Sequence, residues 1–130
     1  MGLKITCKKL NGAVGRHCIA ELGGGCSHLL DDEAYIRQAL TEAAERSGAT
    51  LLSISTHKFD PQGVTGVALL SESHISLHTW PEHGYVAADA FTCGSHCDPE
   101  VAIKHLKECL MLTEGTMRIF NRTMPTGVPV

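Results

Sequence analysis

Three side chains with reactive heads sit close together in this sequence: Ser73, His78 and Cys93. Ser73 follows Glu72 at the junction of two strand-like apolar runs, where a backbone can bend sharply. A serine hydroxyl can attack the carbonyl carbon of the residue before it through a five-membered ring, turning the peptide bond into an ester. A base that takes the Ser73 α-proton then expels the ester by elimination. The serine becomes dehydroalanine, and hydrolysis of its imine tautomer leaves a pyruvoyl group at a new N-terminus. This route needs a strained Glu72–Ser73 peptide, donors for an oxyanion and a base near Ser73 Cα.

His78 is a candidate base, because imidazole titrates near pH ~6.5. His74 and His83 compete with it on chemistry alone. Ser73 and His78 are five residues apart, so on one straight strand they face opposite sides. The pair therefore demands a bend, a bulge or a strand end between them. Cys93 follows the run that begins near Tyr85, and a meander of the intervening strands returns it toward Ser73. A thiol with a pKa of about 8.5 is mostly protonated at neutral pH and can donate a proton. A buried, unreactive cysteine is the alternative at that position. A Cys93/His78 nucleophile–base pair is compatible with the composition, but no local hydrolase signature surrounds Cys93. A metal site from His74, His78, His83 and His96, completed by Glu72, Glu82 or Asp89, also stays open, without a known ligand spacing. Cys93-x-x-x-Cys97, with His96 between, offers half of a zinc site; Cys18, Cys26 or His28 would have to complete it, and no C-x-x-C occurs.

The elements that must position these groups follow from periodicity and punctuation. Residues 3–9 alternate weakly and suggest a short edge strand or a loose arm. Residues 15–21 read as a strand, broken by Gly23-Gly24-Gly25. That glycine run has neither the Lys-Ser/Thr of a phosphate loop nor the spacing of a dinucleotide fingerprint. Asp31-Asp32-Glu33 opens a helix to about Ser47, with an apolar stripe and Gly48 as its stop. Strands are expected at 49–58, 64–70, 74–79 and 85–91, with turns at Asp60-Pro61-Gln62-Gly63 and Pro81-Glu82-His83-Gly84. A helix from Asp98-Pro99-Glu100 to about Leu112 has Asp as its cap and Pro at its first position. Thr116 to Phe120 suggests a last strand, and Met124 to Val130 a loose tail. The order condenses to strand, helix, four strands, helix, strand. Helices on one face of a mainly antiparallel sheet make an α+β two-layer sandwich.

Composition narrows the class. The 130 residues make one domain, with a 43% apolar fraction that supplies a core and a size that dimerisation would help. A net charge of −3 with no basic run argues against nucleic acid. No run reaches the roughly 18 apolar residues of a membrane span. No signal peptide is evident, so the six cysteines are expected as thiols in a cytoplasmic protein. Cys7, Cys18 and Cys109 read as small buried hydrophobes. Thr6 after Met1-Gly2 is a weak match to a myristoylation pattern.

Gly15-Arg16-His17, Gly48-Ala49-Thr50, His57-Lys58-Phe59, Pro61-Gln62-Gly63-Val64-Thr65-Gly66-Val67, Glu72-Ser73-His74, His78-Thr79-Trp80-Pro81-Glu82, Gly84-Tyr85 and Phe91-Thr92-Cys93-Gly94 fall in order and at fitting intervals. Together they closely resemble the prokaryotic S-adenosylmethionine decarboxylases, pyruvoyl enzymes of spermidine synthesis, over about residues 15–112. The resemblance implies a proenzyme that cuts itself between Glu72 and Ser73. Residues 1–72 would become the β chain and residues 73–130 the α chain, whose terminal pyruvoyl derives from Ser73 and forms a Schiff base with the substrate amine. It implies His78 as the proton acceptor in processing, Cys93 as the proton donor in decarboxylation, Thr65 as an aid to processing, and Phe59 and Glu82 as substrate contacts. It implies a homodimer of processed units with active sites at the subunit interface. Each protomer would carry a four-stranded antiparallel sheet and two helices. No metal and no pyridoxal phosphate is required. Some residues depart from the pattern: Ser55-Thr56-His57 lacks an aromatic, Thr65 replaces a serine, and Leu22-Gly23-Gly24-Gly25-Cys26 lacks another aromatic. These departures leave arginine or ornithine as alternative substrates for the same chemistry. A third reading is an unprocessed, non-catalytic paralogue.

Overall fold

The computed structural model describes residues 13–93 and 95–125. Six strands form one antiparallel sheet: β1 (Ala13–Gly23), β2 (Leu51–Lys58), β3 (Val64–Leu70), β4 (Ser73–Trp80), β5 (Tyr85–Thr92) and β6 (Glu114–Thr123). Their spatial order is β2-β3-β4-β5-β1-β6. A short helix, α1 (Ser27–Leu30), leads into α2 (Glu33–Arg46), and α3 (Pro99–Cys109) joins β5 to β6. The α+β two-layer class is as expected. The four-stranded sheet implied by the resemblance is not: among the described residues the sheet has six strands, at the six runs 15–21, 49–58, 64–70, 74–79, 85–91 and 116–120 that the sequence suggests. The possible strand at 3–9 lies outside the described residues, as do residues 126–130 of the tail.

Local chemistry sets the helix ends. Asp32 caps α2 by accepting a hydrogen bond from the Tyr35 N–H at 3.0 Å. Gly48, at a φ of 87°, ends it in the left-handed region. Asp98 caps α3 by accepting from the Glu100 N–H at 2.9 Å, with Pro99 at the first position. α2 packs over β2 and β3, and α3 over β5 and β1. Gly66 permits that approach, because a Cβ there would come within 2.6 Å of Leu40 Cδ1.

Register decides which residues meet the helices. Ala68, Ile75, Ala90 and Cys18 lie directly opposite one another on adjacent strands, and all are fully buried. With Leu40, Leu77, Ile103 and Leu106 they form the core. Full burial of each large side chain contributes roughly 1.5–3 kcal/mol. Burial also raises the Cys18 thiol to about 11, which fits its reading as a small buried hydrophobe. Cys109, half-buried, is raised to about 11 for the same reason, while Cys7 lies outside the described residues. The opposite face of the sheet carries Val67, Leu69, Trp80 and Phe120, each between 39% and 50% exposed. Strand period therefore gives one face to the core and leaves an uncovered face that is unusually apolar.

Candidate active site

β3 and β4 are joined by a two-residue turn, Ser71-Glu72, with Leu70 opposite Ser73. Glu72 has a φ of 65°, a left-handed conformation that strains a residue with a Cβ by roughly 1–2 kcal/mol. Two-residue hairpins favour positive φ at the first central residue, but here only the second adopts it. The strain sits on the residue that precedes Ser73. The Ser73 hydroxyl is 8% exposed as a residue and donates to the Ser71 carbonyl at 3.3 Å. Cys93, one residue past β5, donates its S–H to the carbonyl oxygen of Glu72 at 3.0 Å. The meander thus returns Cys93 to Ser73, as the sequence suggested. The thiol addresses the carbonyl of the Glu72–Ser73 bond itself, where an oxyanion would form. Cys97 lies close by, donating to the Gly48 carbonyl at 3.6 Å; burial and the Glu72 carboxylate push its thiol up.

A second group lies on the uncovered face. Thr65 and His78 are directly opposite across β3 and β4, and Thr65 Oγ1 meets His78 Nδ1 at 2.9 Å. Both line a cleft of about 290 Å³ with Phe59, Gln62, Trp80 and Glu82. α1 and its C-terminal residue fix the cleft wall. Asp31 accepts from the Gly63 N–H at 2.8 Å, and that bond holds its carboxyl below the usual range. The Thr79 hydroxyl donates to the Leu30 carbonyl at 2.7 Å and accepts from the Val64 N–H at 2.9 Å. Trp80, the chain's single tryptophan, stacks at 5.1 Å on Tyr85 and is 39% exposed. Sequence reasoning left Trp80 out of the site. Its place two residues after His78, hence on the same strand face, was the available signal.

The structure brings Thr65, His78, Phe59 and Glu82 together, and separately Glu72, Ser73 and Cys93. It does not bring the two groups together. β4 pairs in continuous register with both neighbours, without a bulge. Ser73, Ile75, Leu77 and Thr79 face the helices, while His74, Ser76, His78 and Trp80 face away. The bend demanded between Ser73 and His78 is absent, and five residues of strand put them about 16 Å apart along its axis. His78 therefore does not reach Ser73 of its own chain.

The remaining histidines sort differently from the sequence-level metal reading. His74 and His17 both meet Asp89, their Nε2 atoms at 2.8 and 2.7 Å from Oδ2, while the Ser76 hydroxyl donates to Oδ1. Burial opposes ionisation of Asp89, but these hydrogen bonds outweigh it and hold the carboxyl below its usual range. His17, His74 and Asp89 are the described residues whose atoms converge closely enough to suggest a metal. Arg122 Nη1, however, lies 3.2 Å from His17 Nδ1. An arginine only donates, so His17 Nδ1 accepts and Nε2 carries the proton directed at Asp89. The cluster is a carboxylate receiving hydrogen bonds.

Comparison with known proteins identifies the family. Residues 16–123 match the model of the S-adenosylmethionine decarboxylase family. A Synechococcus S-adenosylmethionine decarboxylase proenzyme is 56% identical over 115 residues, covering 88% of this chain and 90% of its own. A Methanococcus maripaludis protein of the same name is 56% identical over 97 residues, covering 75% and 80%. The crystal structure of the adenosylmethionine decarboxylase from Aquifex aeolicus superposes with a TM-score of 0.81 at 31% identity, over 91% of this chain and 98% of that one. The chain belongs to the S-adenosylmethionine decarboxylase family.

Proposed function

We propose that this chain is a precursor that cuts its backbone between Glu72 and Ser73 and then decarboxylates S-adenosylmethionine. The observation that carries the reading is the Cys93 thiol on the carbonyl oxygen of a strained Glu72, at the head of the strand that Ser73 begins. In the first step Ser73 Oγ attacks that carbonyl carbon, and Cys93 stabilises the oxygen as it gains charge. Collapse breaks the Glu72–Ser73 C–N bond and leaves an ester. Removal of the Ser73 α-proton then expels Glu72 as a carboxylate. Hydrolysis of the resulting imine releases ammonia. The surroundings fit a terminal pyruvoyl: residue 73 is nearly buried, sits at a strand end and lies within reach of a thiol. That group supplies an electron sink for loss of carbon dioxide from an amino acid held through its amine. Cys93 then holds the proton for the substrate carbon.

His78 and Thr65 enter from a second copy of the chain. The uncovered sheet face carries the Thr65/His78 pair, the cleft and the exposed Val67, Leu69, Trp80 and Phe120. A two-fold dimer burying this face would bring His78 of one protomer toward the Glu72–Ser73 end of the other's β4; Ser73, at the strand end, has to turn from the helix side toward it to complete two equivalent sites. The cleft supports an adenosyl substrate. Phe59 and Trp80 offer flat faces for a purine and for a sulfonium, and Glu82 accepts from ribose hydroxyls. These rings remain although other aromatic positions of the pattern are absent. Purified protein incubated with carboxyl-labelled S-adenosylmethionine, arginine and ornithine tests the reading. Label is expected from the first alone, and release only from a basic amino acid would overturn it.

A further inference from the structure

Cleavage at Ser73 would create a chain end in the middle of the sheet, and freed ends fray unless something ties them down. The reacting group must nevertheless stay within about 0.5 Å of its productive position. Backbone pairing continues on both sides of β4 from His74 onward, but the Ser71-Glu72 turn no longer closes the strand. His74 is the first intact residue behind the cut. Its ring reaches Asp89 on β5, and Asp89 also receives Ser76 from β4 and His17 from β1. Arg122 of β6 extends the tie through His17 and lies 5.6 Å over the Phe91 ring, which faces His74 and His17 in register.

We propose that Asp89 is a positioning residue: with His74, His17 and Ser76 it anchors the new α-chain terminus to β5 and β1, so that residue 73 stays beside Cys93 after the backbone is cut. The inference rests on the self-cleavage reading above. Three hydrogen bonds to one ionised carboxylate are stronger than neutral ones and directional, which suits an anchor. A carboxylate without nearby cations would repel a second acid; here its neighbours are the two imidazoles, a hydroxyl and, beyond His17, the Arg122 guanidinium.

Hydrogen exchange of the 74–77 amides separates this role from general stabilisation. Asp89→Asn is compared with the parent in two backgrounds: the cut enzyme and the uncut Ser73→Ala chain. The anchor predicts exchange about tenfold faster in the cut protein and little change in the uncut one. In the cut protein kcat falls while KM stays near wild type, because the Phe59/Trp80 cleft lies at the far end of β4. His74→Ala behaves like Asp89→Asn, and His74→Gln, which keeps a donor near the Nε2 position, restores both readouts. Should Asp89→Asn not fold, Ser76→Ala removes one of the three bonds and shows the same pattern more weakly. Equal loosening in both backgrounds, or none in either, would overturn the anchor alone. A wild-type chain that stays uncut by intact mass would overturn the cleavage reading and the anchor with it.

Discussion

On the proposed reading, the two ends of β4 carry different halves of one chemistry. At its first residue, Ser73 faces the helices, nearly buried, beside a strained Glu72 and the Cys93 thiol. At its far end, His78 and Trp80 face outward with Thr65, lining an open cleft. On the proposed reading the first end supplies the nucleophile and an oxyanion donor, and the second the base and the aromatic surfaces. Strand period alone enforces this: an odd separation on an unbroken strand sends two side chains to opposite faces. In the proposed dimer a second copy joins the two groups.

The largest effect should come from removing the nucleophile. Ser73→Ala is expected to give one intact, folded chain by mass and no decarboxylation at all. Cys93→Ala comes next: the chain still cuts to some degree, while turnover falls by about 10²–10⁴, the range for loss of a positioned proton donor. A variant cutting and turning over like wild type would remove the thiol from both steps. At the outward end, Trp80→Ala should leave cleavage intact and raise KM by roughly 5- to 150-fold, as expected for loss of one stacking face worth about 1–3 kcal/mol. Unchanged KM would place the substrate elsewhere. The smallest effect is on acid stability. Asp89 and Asp31 both have carboxyls held below their ordinary value, so their contribution is complete above about pH 4 and is lost as pH falls through the depressed folded values. Asp89→Asn should flatten that acid limb of a melting-temperature profile.

Much of this arrangement was legible before the fold. Caps and stops at Asp32, Gly48, Asp98 and Pro99 mark both long helices, because side chain–backbone chemistry at helix ends is local. The Ser71-Glu72 bend shows in sequence as the seam between two apolar runs. β6 was harder. It is exposed along nearly its whole length at the sheet edge, so no alternation announces it, and only Thr116 to Phe120 of its ten residues suggested a strand. The Asp89 cluster was not legible. His74 and Ser76 are two apart and so share a face, but their meeting with Asp89 and His17 depends on the register of three strands, which no local pattern fixes. The separation of Ser73 from His78 was visible as a demand for a bend. That the demand would go unmet follows only from continuous pairing on both sides of β4.

Mixing two inactive chains tests the central claim most directly. Ser73→Ala lacks the nucleophile but keeps His78; His78→Ala lacks the base but keeps Ser73. Each alone should remain largely uncut. Co-expressed, they would form heterodimers with one complete site, built from Ser73 of one chain and His78 of the other. The account predicts that the His78→Ala chain, and not the Ser73→Ala chain, is then cut between residues 72 and 73, as read by intact mass. If both chains stayed whole in a verified heterodimer, His78 would not serve Ser73 across the interface, and the split-site account would be wrong.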